Sequence, residues 1–182
     1  MSTPSSPVDR AVALLTGTRF LVVATSGETG DPWAATVNHV VADDGTLLFC
    51  SSPRSLHSRH VISRSDIAAT VYHLDPDPEA NDSVQLRGHC APAAAEDLSR
   101  LHTEFFTKDF PDTATRTQMT IPLIRFHPGG THQIYVTEIS ECWVRDHKAW
   151  QDRQEDSRTP VPLDELVTRL AAAARTSYQQ IP

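Results

Sequence analysis

Along this chain the spacing of apolar residues changes period several times, and each change marks an element. Val8, Ala11, Val12 and Leu15 recur at helical spacing. Ser6 ahead of them suits an N-cap, Pro7 the first helical position and Asp9 the positive end of the dipole, while Gly17 can end the helix. The pattern predicts a helix over 6–16. Residues 20–25 (FLVVAT) are a continuous apolar run rich in β-branched side chains, bounded by Gly27 and Gly30, which predicts a strand buried on both faces. Residues 26–32 (SGETGDP) make the turn. In 33–41 (WAATVNHVV), alternation puts Trp33, Ala35, Val37, His39 and Val41 on one face and Ala34, Thr36, Asn38 and Val40 on the other. Asp43, Asp44 and Gly45 form a hairpin turn, where Gly supplies positive φ without steric cost.

Residues 46–51 read as a third strand, followed by a basic segment with helical spacing of two turns, and residues 66–72 as a fourth. A polar loop rich in Pro and Asp covers 75–82. Residues 83–90 alternate again, with Val84, Leu86 and Cys90 inward and Gln85, Arg87 and His89 outward. Gly88 inside that pattern predicts a bulge or a close backbone approach. From 96 to 110 the period turns helical through Leu98, Leu101, Phe105 and Phe106. Residues 121–127 and 133–145 read as strands joined by a turn at Pro128, Gly129 and Gly130. A polar linker covers 146–160, and Leu163, Leu166, Val167, Leu170 and Ala174 stripe a last helix over 161–178. The chain therefore reads as mainly β with attached helices. Its parts are a barrel domain over 1–145, with the helix at 6–16, strands over about 19–145 and a helical insertion at about 96–118, then the linker and the last helix. Turn-rich connections favour an antiparallel barrel over alternating βαβ units.

Composition narrows the function. At 182 residues, 39% hydrophobic and 21% charged, the chain has the make-up of one soluble globular domain. A net charge of −7 excludes the broad basic face that a duplex-binding protein needs, so no nucleic-acid partner is expected. Cys50, Cys90 and Cys142 are odd in number and form no CxxC pair, so neither a disulfide framework nor a zinc ribbon is expected. The segment MSTPSSPVDR has no signal-peptide pattern, and no run reaches membrane-spanning length. The expectation is a cytoplasmic protein, off the membrane, with reduced thiols.

The densest chemistry lies in the basic segment, which holds Ser51, Ser52, Arg54, Ser55, His57, Ser58, Arg59, His60, Ser63 and Arg64. Hydroxyls and cations between a strand end and a helix start suit a phosphate, because the helix N-terminus presents unpaired N–H groups and the cations add charge. The plain alternative is a solvated polar connection.

The stretch WAATVNHVVADDGTLLFCSSPRSLHSRHVISRSDIAATV resembles, without a gap, the core of the pyridoxamine 5′-phosphate oxidase-like, FMN-binding split-barrel superfamily, and VQLRGHCAPA resembles its following strand. With the first strand, the likeness covers about residues 19–95. The later order of helix, strand, strand and the ending ECWVRD resemble a small subgroup of uncharacterised split-barrel proteins. The resemblance implies a six-stranded antiparallel split β-barrel of FMN-binding type. It also implies a homodimer with flavin in the interface and a small-molecule substrate. By the same resemblance, the strand at 34–40, with Val37, Asn38 and His39, lies along the flavin ring. Ser51 and Ser52 sit at the ring's edge, Ser55 matches a phosphate-binding serine, and Gln85 a glutamine that reaches the ring. Hydroxyls and an amide can donate to ring carbonyls and phosphate oxygens.

After Ser55 the family usually carries Arg-Lys, whereas this chain has Leu56 and His57. Histidine is mostly neutral at neutral pH, so phosphate binding is expected to be weaker and more pH-dependent. A bound phosphate would raise the His57 pKa, and Arg54 and Arg59 can compensate. A deazaflavin is a variant cofactor. A haem is another, with His39, His57, His60 and His89 as candidate ligands, since some split-barrel relatives bind haem; no separate metal site is expected. Trp143 can stack on a flavin, as C-terminal aromatics often do in the family, or serve as a core or interface residue. Cys50 has no neighbouring base and reads as packing. No constellation names a reaction. A flavin does its own redox chemistry, so the chain fits an FMN-dependent oxidoreductase or a binding protein that stores flavin or haem without turnover.

Overall fold

The computed structural model describes residues 6–77 and 80–179. Residues 1–5, and residues 78–79 of the expected polar loop, lie outside the described residues. Among the described residues one antiparallel sheet forms from β1 (Phe20–Ser26), β2 (Pro32–Val41), β3 (Leu47–Ser51), β4 (Asp66–His73), β5 (Asp82–Pro92), β6 (Gln133–Arg145) and β7 (Arg158–Pro160). Their order is β3-β2-β1-β4-β5-β6-β7, and pairing of β3 with β6 closes the first six into a barrel. The six-stranded antiparallel split barrel is thus the fold.

Alternation decides what each strand buries. On β5, Val84, Leu86 and Cys90 enter the barrel while Gln85, Arg87 and His89 stay outside. The β5–β6 register shifts between Arg87 and Gly88, and a Cβ at position 88 would stand 2.4 Å from the Glu138 carbonyl oxygen. Only glycine lets the two strands approach so closely. β1 departs from its expected burial on both faces. Leu21, Val23 and Thr25 are buried, but Phe20 and Ala24 are exposed on the outer side of the sheet.

Helices close the barrel. The helix α1 (Pro7–Gly17) starts where Ser6 Oγ accepts the Asp9 N–H at 3.1 Å, and it buries Val8, Ala11 and Leu15 in the same apolar cluster as Leu21, Phe49 and Tyr135. Arg10 fixes α1 to the barrel through Asp82, at 2.6 and 2.8 Å, and the Arg145 carbonyl. The short helix α2 (Leu56–Ser63) contributes Val61 to that cluster. Outside β2, β3 and β6 a second cluster forms under α3 (Leu98–Asp109), with Val40, Leu48, Phe105, Phe106 and Phe126. A further helix, α4 (Thr113–Met119), follows.

Two segments differ from their sequence readings. Residues 121–127 form no strand; Leu123–Phe126 is a 3₁₀ turn after Pro122, with Phe126 buried and Ile124 exposed. Proline fixes φ and lacks the N–H a ladder needs, and only Phe126 finds a buried place. Residues 146–160 are more than a linker. They hold α5 (His147–Arg153), capped where Asp146 accepts the Ala149 N–H at 2.9 Å, and then β7. The cause is the length of β6, which outruns β3 and leaves a free edge that β7 fills at 143–145. The last helix, α6 (Leu163–Gln179), docks Leu166, Leu170 and Ala174 on the barrel core.

Candidate functional site

The hydroxyl-rich turn folds as a compact cradle. β3 ends at Ser51, and the Arg54 N–H donates to Ser52 Oγ at 3.2 Å. Ser55 is the N-cap of α2, where its Oγ accepts the Ser58 N–H at 3.4 Å and donates to Ser58 Oγ at 2.8 Å. Because α2 buries the face carrying His57, Ser58, His60 and Val61, His57 turns inward. Its Nε2 lies 2.7 Å from Ser51 Oγ and 3.1 Å from Ser55 Oγ. Arg54 and Arg59 are exposed and form no ion pair with any described residue.

Burial, and secondarily His60, lowers the His57 pKa from the ordinary 6.5. Burial likewise lowers that of His39. The fold holds both rings neutral. Below about 6.5 the unfolded chain therefore binds more protons, and this part of the stability, complete above that pH, is lost as pH falls through the folded-state values. Urea midpoints are expected to drop on acidification below pH 6.5, and His57→Gln should make that drop shallower.

The remaining sequence-derived residues fall elsewhere. Val22, Thr70, Gln85, Trp143 and Pro160 stand in one row across β1, β4, β5, β6 and β7 on the outer face of the sheet. Beside them runs Ala34, Ala24, Ala68 and Arg87. The small residues leave a cleft of about 490 Å³ lined also by Arg158. Arg158 Nε donates to Gln85 Oε1 at 3.2 Å, and the Arg87 guanidinium lies 5.8 Å from the Trp143 ring centroid. Arg158 carried no sequence signal, because the polar 146–160 stretch has no hydrophobic period; the parity of β5 placed Arg87 beside Gln85. No residue of 51–59 lines this cleft, so one chain does not join the cradle to Gln85 and Trp143.

The resemblance set Val37, Asn38 and His39 along a flavin ring. Val37 and His39 share the inward parity of β2 and are buried; His39 donates its Nε2 hydrogen to the Leu15 carbonyl at 3.0 Å. Asn38 Nδ2 donates to Asp109 at 3.4 Å. Of the histidines named for haem, His39, His57 and His60 are buried, each with one ring nitrogen engaged inside the fold, and exposed His89 pairs with Asp66 at 2.8 Å. Burial pushes the Cys50 thiol up to about 12, which leaves it protonated and unreactive. Among the described residues no helix is long and apolar enough to cross a membrane.

A family model described as pyridoxamine 5′-phosphate oxidase matches residues 8–123. Comparison with curated protein sequences gives no match. Among solved structures, a haem-binding protein of Mycobacterium smegmatis is 15% identical with a TM-score of 0.68, covering 90% of this chain and 61% of that one. The chain thus spans less than two-thirds of that protein's length. A FAD-binding protein of Mesorhizobium loti is 14% identical with a TM-score of 0.59, covering 77% of this chain and 94% of that one. A pyridoxamine 5′-phosphate oxidase-related, FMN-binding protein of Nostoc punctiforme is 14% identical with a TM-score of 0.52, covering 79% and 87%. At such identities the likeness is one of fold; the three proteins named bind haem, FAD and FMN respectively. The strands β1 to β5 and the cradle after β3 fall within the matched residues 8–123, and the chain belongs to the pyridoxamine 5′-phosphate oxidase family.

Proposed function

We propose that the protein is an FMN-dependent oxidoreductase acting on a small molecule as a homodimer. The observation that carries this reading is the cradle at 51–59, where hydroxyls and two arginines without ion-pair partners among the described residues surround the start of α2. These groups fit a phosphate. Ser51 gains from its neighbour. With hydrogen on Nε2, His57 donates to Ser51 Oγ and leaves the Ser51 O–H to point at a phosphate oxygen. Burial and a lowered pKa support this positioning role for His57 over that of a cation.

The sheet-face cleft supplies the second half. Alanines form its floor, Trp143 and the Gln85 amide border it, and exposed Phe20 and Tyr72 on the same face add apolar area. A second copy covering this face would bring the cradle of one protomer to the cleft of its partner, and would remove the apolar surface from water. FMN, when bound, supplies the hydride and electron exchange. The chain's residues hold its phosphate, orient its ring against Gln85 and exclude water.

Purified protein is expected to carry or take up FMN and to show the two-band flavin spectrum. Arg54→Ala should weaken FMN by roughly one to two decades, about 1.5–3 kcal/mol for a charge-assisted contact, in a fluorescence titration. Its melting temperature should hold, since the side chain is exposed. A colourless protein that binds no added FMN, or a Soret band in place of flavin bands, would overturn the assignment.

A further inference from the structure

The three-residue strand β7 brings a cation onto the sheet-face cleft. Arg158 pairs with Arg145 on β6, so the parity of the ladder puts its side chain on the face that carries Trp143. From there the guanidinium reaches across to Gln85 on β5, the register partner of Trp143. It is held at three points. Nη1 donates to Asp156 Oδ1 at 2.5 Å and to the Ser157 carbonyl at 3.0 Å, and Nε donates to Gln85 Oε1 at 3.2 Å. With these contacts the side chain is only 27% exposed on an edge strand.

We propose that Arg158 is a positioning residue for the ring site. It fixes the Gln85 amide with the oxygen toward the guanidinium and the N–H group toward the cleft, where that group donates to a carbonyl on the ring's edge. This rests on the reading of the cleft as the place of the FMN ring. A guanidinium has hydrogens to give and no lone pair to offer, so only the carbonyl end of the amide can meet it. The Gln85 N–H group is then left for a ligand, and it has no partner among the described residues. An exposed glutamine on its own turns its amide either way and loses rotamer freedom when a ligand orders it. Pinned by Arg158, the amide meets the ring already oriented, which lowers that entropic cost.

The neighbours leave this role to Arg158. Arg87 lines the same cleft, but its Nη1 donates to Glu141 Oε2 at 3.2 Å. Thr70 spends its O–H on the Val84 carbonyl at 2.8 Å. Asp156 balances the Arg158 charge, so the contact supplies the orientation of an amide and not attraction for an anion. A rim that presents a fixed N–H group suits a ring edged with carbonyls, as a flavin is.

The test is a double-mutant cycle on FMN affinity, read by fluorescence titration of the full chain. Arg158→Ala and Gln85→Ala are each expected to weaken FMN by roughly three- to tenfold. Arg158→Ala should add nothing in the Gln85→Ala background, because the arginine acts through the amide. Gln85→Glu keeps an acceptor for Arg158 but has no N–H, and should weaken FMN at least as much as Gln85→Ala. Arg158→Lys, still a donor, should recover part of the loss. A second readout needs no FMN. In the free protein the Gln85 side-chain amide should show NMR shifts distinct from those of free glutamine, and Arg158→Ala should return them to the free values. Losses that add in the double variant, or amide shifts that ignore Arg158, would overturn this proposal alone. A wild type that binds no FMN would overturn the FMN reading, and this proposal with it.

Discussion

Phe106→Ala is expected to cost the fold about 3–5 kcal/mol, the usual loss for deleting a large buried aromatic ring. The ring stands at the centre of the second cluster. His102 lies 4.8 Å away, Phe105 packs on it edge to face at 5.3 Å, and Phe126 and Phe110 follow at 6.2 and 6.4 Å. These partners come from α3, its C-cap and the 3₁₀ turn, so they cannot all collapse into the space left behind. The cavity term therefore adds to the lost burial. A fall in the urea midpoint, with barrel strands retained by circular dichroism, is the expected reading. A change below about 1 kcal/mol would mean that the insertion contributes little to cooperative stability.

Glu104→Ala should cost about 3 kcal/mol, the lower end for breaking a buried ion pair. Glu104 is buried on α3, yet it holds the turn between β2 and β3. Its Oε1 accepts the Asp43 N–H at 2.6 Å and Lys108 Nζ at 2.8 Å, and Arg100 approaches Oε2 at 3.3 Å. Removing it leaves a backbone donor and a nearly buried ammonium short of a partner. The loss stays at the lower end because Lys108 keeps the Val41 carbonyl and Asp43. Glu104→Gln keeps an acceptor for the Asp43 N–H and should recover part of the loss. Equal destabilisation by both variants would show that charge alone matters at this position.

Local chemistry was legible in the chain wherever it was local in the fold. Ser6 and Pro7 announced α1, and the lone glycine within an alternating strand announced the β5 bulge. The cradle could be read because Ser51, Ser55 and His57 are close in sequence and meet across one turn. Residues 121–127 were misread because Ile121, Leu123, Ile124 and Phe126 look alike to any pattern, while tertiary packing buries one of them and exposes another. The 146–160 segment had no pattern because its order comes from a free edge on β6. The placing of His39 and Asp109 in one region was invisible because no local pattern links them. One lies on β2 and the other ends α3, and only the closed fold sets them beside one cleft.

The pairing that closes the barrel has a consequence for how the chain is made. Residues 47–51 must wait for 133–137 before β3 has a partner on its second edge. At about 5–20 residues per second, a nascent chain spends several seconds as an open, five-stranded sheet whose β3 edge can pair with a neighbouring chain. The intervening α3, which covers Val40 and Leu48 from outside, is synthesised within that interval. It shields the apolar outer side of β2 and β3 before β6 arrives, so a ribosome-stalled chain lacking the α3 segment should aggregate sooner than one that retains it.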